Sequence, residues 1–241
     1  TGLSRGQARV RDSVSEVGSQ FSKLAGMIAA ALSVREVINY ANAWIDVSNK
    51  LANSVKEHER LADVTERVFA ISQRTNSSLE STASLYSRLE RATRESGLST
   101  DKLTSITETI NKAFIVSGAS ADEASGAIVQ LSQGLASGVL RGDEFNTITE
   151  SGSRLALALA DSLGVGVGEL RKMAAAGALT TDVIVNGLLS QGDAIAKEFS
   201  KTTLTMGQSF TVATNNITKF VGESTTISSV VSTFNSGLIT L

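Results

Sequence analysis

One histidine and no cysteine limit the chemistry open to this chain. Without cysteine there is no disulfide framework, thiolate zinc site, iron–sulfur cluster or thiol nucleophile. A single imidazole cannot complete a two-histidine metal pair, and an ordinary Ser-His triad would have to use His58 itself. His58 sits in the run Lys56-Glu57-His58-Glu59-Arg60 at the start of an expected helix, which reads as a solvated surface histidine. Glu90, Glu95, Asp101 and Glu108 could supply the two carboxyls of a glycoside hydrolase. Aromatic residues make up only 5% of the chain, too few to line a sugar cleft, so these acids read as helix-surface charges. Gly164-Val165-Gly166-Val167-Gly168 invites a phosphate, but it follows a helix rather than a strand and lacks the Lys-Ser/Thr of a P-loop. It reads as an inter-helix turn. Arg141-Gly142-Asp143 spells an integrin-binding tripeptide, yet Asp143 near a helix start reads as a capping turn. No catalytic, cofactor-binding or metal-ligating residue is assigned, no cofactor is expected, and the chain is not expected to be an enzyme.

These residues must be carried by helices. Average usage of about 5% would put roughly a dozen prolines in 241 residues, and there are none, which favours long uninterrupted helix. With 41% hydrophobic and 19% charged residues the chain can bury a core and is no disordered tail. A net charge of −2 with scattered basic residues lacks the footprint of a nucleic-acid binder. The longest strongly apolar run, 24–32, is about half of the ~20 residues a membrane-spanning helix needs. It follows a long amphipathic stretch rather than a short basic one, so it does not read as a secretory signal. A first residue Thr1 in place of Met suggests a fragment or processed chain.

The pattern predicts an all-α fold, a multi-helix bundle with an N-terminal coiled-coil-prone helix and a helical C-terminal extension. Val10, Val14, Val17, Phe21, Leu24, Ile28 and Ala31 alternate spacings of four and three along one helix stripe. The stripe is either a self-association seam or a face packed on the chain's own domain. Ser33 with Glu36, Ser77 with Glu80, and Ser120 with Glu123 have capping-box spacing and should open helices. Gly97 and Gly118 stand where left-handed C-caps would. Further helices are expected over 60–74, 100–117, 144–151, 154–163, 169–176 and 181–199, with 155–163 apolar all round and therefore buried. Sixteen of the last 40 residues are Ser or Thr and only Lys219 and Glu223 are charged, so the material changes near Thr202. Phe210, Ile217, Phe220 and Val221 fall near one face, predicting a helix that needs a partner: another copy, a tube wall or the rest of a longer protein. The expected division is 1–32, an amphipathic helix; 33–199, a compact helical domain; and 200–241, a helical extension.

Several strings together resemble the N-terminal domain of bacteriophage tail tape measure proteins. They are Ala31-Leu-Ser-Val-Arg-Glu-Val-Ile-Asn-Tyr-Ala-Asn-Ala-Trp44; Ile71-Ser-Gln-Arg-Thr75 with Leu79-Glu-Ser-Thr-Ala-Ser-Leu-Tyr-Ser-Arg-Leu89; Glu108-Thr-Ile-Asn-Lys-Ala-Phe114 with Ser117-Gly-Ala-Ser-Ala-Asp-Glu-Ala124; Gln130-Leu-Ser-Gln-Gly-Leu-Ala-Ser-Gly-Val-Leu-Arg-Gly-Asp-Glu-Phe145; and Leu163-Gly-Val165 with Gly168-Glu-Leu-Arg-Lys-Met173. Similar sequences often carry a proline just before Arg154-Leu155, where this chain has Gly152-Ser153. The resemblance implies a structural role in the virion: a protein in the lumen of the growing tail tube, assembled in the host cytoplasm, whose length sets tail length and which leaves during genome delivery. It implies several copies working with tail tube protein, tail assembly chaperones and tail tip or baseplate proteins, with genome DNA and host membrane met only during ejection. It also implies a chain commonly longer than this one, and it carries over no catalytic residue. The rival readings are a membrane channel or translocation module for DNA ejection and a muralytic tail-associated enzyme.

Overall fold

Helix starts in this chain coincide with side chains that accept the orphan N–H groups of a first turn. The computed structural model describes residues 33–224 and places eleven helices among them. They are α1 (Val34–Ala52), α2 (Leu61–Arg74), α3 (Leu79–Thr93), α4 (Thr100–Val116), α5 (Ala121–Ala136), α6 (Gly142–Ser151), α7 (Ser153–Leu163), α8 (Val167–Ala175), α9 (Thr181–Ser190), α10 (Gly192–Phe199) and α11 (Met206–Glu223). Among the described residues the extended pairing is limited to one isolated bridge between Val139 and Thr180, so the all-α expectation holds.

Ser33 and Ser120 cap α1 and α5 with complete capping boxes, the Glu36 and Glu123 carboxylates accepting from the serine N–H at 2.7 and 2.9 Å. The third expected box does not form. Asn76 adopts φ +52, which adds a residue of turn, so the cap of α3 moves to Ser78, whose hydroxyl accepts from the Ser81 N–H. Ser77 is instead buried and donates to the Thr75 carbonyl, while Glu80 reaches the Lys50 ammonium at 2.6 Å. Gly118 ends α4 at φ +77, with its N–H on Ile115 O and the Ala119 N–H on Phe114 O, the double bond of a Schellman cap.

The helix expected over 181–199 is two. Gln191 closes α9 and opens α10, and the redirection lets Ile195 bury completely as α10 packs on α4. The stretch 155–163 is not buried all round. Leu155, Ala156, Ala158, Leu159 and Ala160 are covered, but Leu157 is 46% exposed because α7 lies at the rim of the bundle. Between α6 and α7, a Cβ at Gly152 would come within 2.5 Å of the Phe114 ring, so only glycine fits this contact. Ser153 is the first residue of α7, a position that tolerates proline.

α3 lies centrally, packed on α1, α2, α4 and α5. The core around it buries Tyr86, Phe114, Phe145, Leu85, Leu89 and Ile110 to 1% exposure or less. α1 runs in the same sense as α3, because Ser87 Oγ donates to Lys50 O and Arg94 to Asn53 O as both helices advance. α2 runs opposite to α3, with Arg67 donating to the Tyr86 hydroxyl at 3.0 Å.

Candidate functional site

The helix beyond residue 202 forms, and its partner is within the chain: α11 packs on α1 and α2. It lies antiparallel to α2, with Lys219 paired to Glu66 and Asn215 beside Ser72, and therefore in the same sense as α1 and α3. What it buries is unusual. Gln208, Asn215 and Thr218 are covered together with Val221, whereas Met206 and Phe210 are 73% and 67% exposed. At ~100° per residue the apolar stripe through Phe210, Ile217 and Val221 lies roughly a quarter turn from the centre of the buried face.

Directional bonds explain that rotation. Asn215 Oδ1 accepts from the Leu79 N–H at 2.9 Å, its Nδ2 donates to Ser77 O at 2.8 Å, and Ser72 Oγ lies 3.4 Å from the same nitrogen. One side chain of α11 thus caps the first amide of α3 and closes the turn after α2. On the opposite side Asn111 of α4 donates to the hydroxyls of Thr75 and Thr82, so two buried asparagines hold one turn. The sequence reading missed both. The available signal was the polar spacing Gln208, Thr211, Asn215 and Thr218, a helical stripe beside the apolar one.

Lys219 adds charge to this latch. Its ammonium lies 4.7 Å from the centre of the Phe69 ring and pairs with Glu66 and Glu223. Partial burial alone would lower its pKa, but the two carboxylates outweigh burial and raise it. Nearer the helix end, α11 meets α1 at a small apolar contact of Ala41 with Val221, flanked by Val37, Tyr40, Ile217 and Phe220. Gly222 packs against the base of the Trp44 side chain, where an added Cβ would run into Cβ, Cγ and Cδ1.

The residues with chemical potential are kept apart. His58 is exposed in the loop between α1 and α2. Glu90 lines a cleft of about 540 Å³ with Lys56, Glu57, Arg94, Leu98 and Leu103, where three of the charges, Glu90, Arg94 and Lys56, are engaged. Arg94 donates to the buried Glu90 carboxylate at 2.6 Å, and Lys56 donates to Leu98 O at 2.9 Å. Glu108 lies elsewhere, between Arg74 and Lys112. Burial pushes its pKa up, but hydrogen bonds from both cations prevail and hold it below the usual carboxylate value, the reverse of what a general acid needs. Glu95 and Asp101 are exposed. The glycine run is the turn between α7 and α8, with Gly164 left-handed at φ +67 and Gly166 as an extended N-cap. Arg141 is the N-cap of α6, and Asp143 lies in its first turn. Among the described residues no group of acids and histidine is gathered to hold a metal, and no helix is long and apolar enough to cross a membrane. The seam residues Val10, Val14, Val17, Phe21, Leu24 and Ile28 lie outside the described residues.

No curated protein and no solved structure matches the chain significantly. The sequence pattern of the tape measure protein family matches residues 35–226, from the first turn of α1 to just past the end of α11. With most of its length inside that match, the chain belongs to the tape measure protein family, structural proteins of bacteriophage tails that determine tail length.

Proposed function

We propose that residues 33–224 form the folded end-piece of a tail tape measure protein, and that the measuring length is supplied by extended helix elsewhere in the reading frame. The observation that carries this reading is the match of the family to a bundle of folded-back helices. The longest of them has 19 residues, which spans ~28 Å. Tail length set by a ruler must scale with residues held in line, whereas this unit adds a fixed increment however many helices it packs. In this reading the protein sits in the lumen of the growing tube, engages tail chaperones, tube subunits and tip proteins during assembly in the host cytoplasm, and leaves with genome delivery.

In-frame removal of helical blocks outside 33–224 in the full reading frame is expected to shorten tails by ~1.5 Å per residue removed from each extended strand, measured by electron microscopy. Disrupting the bundle, for instance with Phe114→Ala, is expected to reduce the number of tails and leave their length unchanged. Tails of unchanged length after the block deletions would overturn the ruler and bring the translocation reading forward.

A further inference from the structure

Nothing in the seat of α11 requires helix and seat to share a chain. Residues 200–205, which join α10 to α11, are all exposed, and no hydrogen bond holds Thr203 or Leu204. The helix packs on α1, α2 and α5 and reaches the start of α3 through Asn215, all of them elements that precede residue 137. The apolar contact of Ala41 with Val221 stands apart from the main core, which contains no residue of α11. Lifting α11 therefore leaves that core closed. The seat itself is selective. It takes an amide side chain between the Leu79 N–H and Ser77 O, a cation beside Glu66 and a residue without Cβ against Trp44. Asn215, Lys219 and Gly222 supply these at spacings of four and three, and every copy of the chain carries them.

We infer that α11 also seats across chains, two copies exchanging the helix so that Asn215 and Lys219 of each engage the turn after α2 and Glu66 of the other. Exchange of an identical element is a low-cost route to a dimer, because both seats keep the contacts they have in one chain and only the linker is redirected. The weak adhesion of α11 eases the exchange, since the helix can leave without unfolding the bundle. The balance is then one of concentration. A short linker gives the in-chain helix a millimolar-scale effective concentration, so exchange gains ground as copies are crowded to that level. The exchanged seat needs no new surface. The chain beyond residue 224 would leave from the other copy's bundle, tying two copies together where the sequence runs on towards residue 241.

The ion pair supplies the test, in the whole chain. Glu66→Lys and Lys219→Glu each set like charges against one another within a single chain, whereas reciprocal exchange between the two variants puts opposite charges in both seats. The variants are mixed in equal amounts at millimolar concentration and read by native mass spectrometry. Dimers of one of each are expected to outnumber the two like-with-like dimers together by at least threefold. Equal numbers, the statistical result, or no dimer would overturn the proposal. Cysteines then locate the contact, since the chain has none of its own. Ala41→Cys on the Glu66→Lys chain and Val221→Cys on the Lys219→Glu chain are expected to join on oxidation at least tenfold more than when the second cysteine is Arg171→Cys, an exposed position on α8 outside the seat. Ala41→Cys with Val221→Cys in one dilute chain of unaltered charge is expected to close at monomer mass, which shows the seat intact. Joining between chains no better than the Arg171→Cys control would sink the proposal.

Discussion

Inside the bundle Tyr86, Phe114, Phe145, Leu89 and Ile110 are each at most 1% exposed, whereas three of the four buried residues of α11 are polar. The two regions are held by different physics. Each large core side chain contributes about 1.5–3 kcal/mol by leaving water, with little regard for direction. Asn215 contributes through geometry: a made hydrogen bond adds about 1 kcal/mol net, but a buried partner left without one costs 1–3 kcal/mol. Burial therefore gives the bundle cohesion, and hydrogen-bond geometry gives α11 one orientation with little adhesion. A helix seated this way can leave apolar side chains outside, as Met206 and Phe210 are left here.

The comparison breaks first at the core. Phe114→Ala removes a fully buried ring that also fills the space over Gly152, and it is expected to cost about 3–5 kcal/mol in denaturant unfolding. Amide exchange should accelerate across α2 to α10 together. Acceleration confined to α4 and α6 would show that the bundle is not one cooperative unit. Asn215→Ala is the corresponding cut in the α11 seat. It leaves the Leu79 N–H and Ser77 C=O without their partner, a loss of about 1–3 kcal/mol. Here the expected result is local, with amides of α11 and of the turn over 75–78 exchanging faster while the slowest core amides keep their rates.

Gly222→Ala attacks the same seat from the apolar side. With Trp44 Cγ 1.9 Å from the new methyl, either the indole or α11 must move, at about 1–2 kcal/mol. Adding Trp44→Ala removes the two side-chain atoms nearest the new methyl and should relieve most of the clash, so the double variant is expected to be less destabilised than the sum of the two single changes. Strict additivity would mean that α11 does not rest on Trp44.

Much of the bundle could be read from the sequence because its signals are local. The capping serines at Ser33 and Ser120, the period of three and four, and left-handed glycines such as Gly118 all act within a few residues of where they stand. The misplaced cap at Ser77 followed from one backbone angle at Asn76, which no spacing rule exposes. The break at Gln191 was hidden for another reason: it serves the burial of Ile195 against α4, a contact distant in sequence. The orientation of α11 is not legible from its apolar residues, because three of its four buried residues are polar. Asn215 reaches back more than a hundred residues to Ser77 and Leu79, and a bond of that range has no local period. The bland readings of His58, the glycine run and Arg141-Gly142-Asp143 match an exposed loop, an inter-helix turn and a helix start.

Extremes of pH separate the two regions with the smallest changes. The Glu108 carboxyl is held below its ordinary value by Arg74 and Lys112. Its contribution is therefore present above an unfolded pKa of about 4.3 and is lost as pH falls through the lower folded value. Lys219 has the opposite sign. Raised by Glu66 and Glu223, it contributes fully below an unfolded pKa of about 10.4 and loses that contribution as pH rises through the folded value. Acid thus tests a pair on the bundle, and alkali tests the seat of α11. Glu108→Gln is expected to flatten the fall in stability between about pH 5 and 3, with an effect no larger than about 1 kcal/mol. For α11 the single tryptophan is a reporter in place, since Trp44 lies against Gly222. Its emission is expected to shift as pH rises past 10 in the parent chain and to shift less in Lys219→Met, the difference between the two cancelling tyrosine ionisation common to both. Identical alkaline curves would show that Lys219 does not help to hold α11, and would leave Asn215 and the Ala41–Val221 contact to hold it alone.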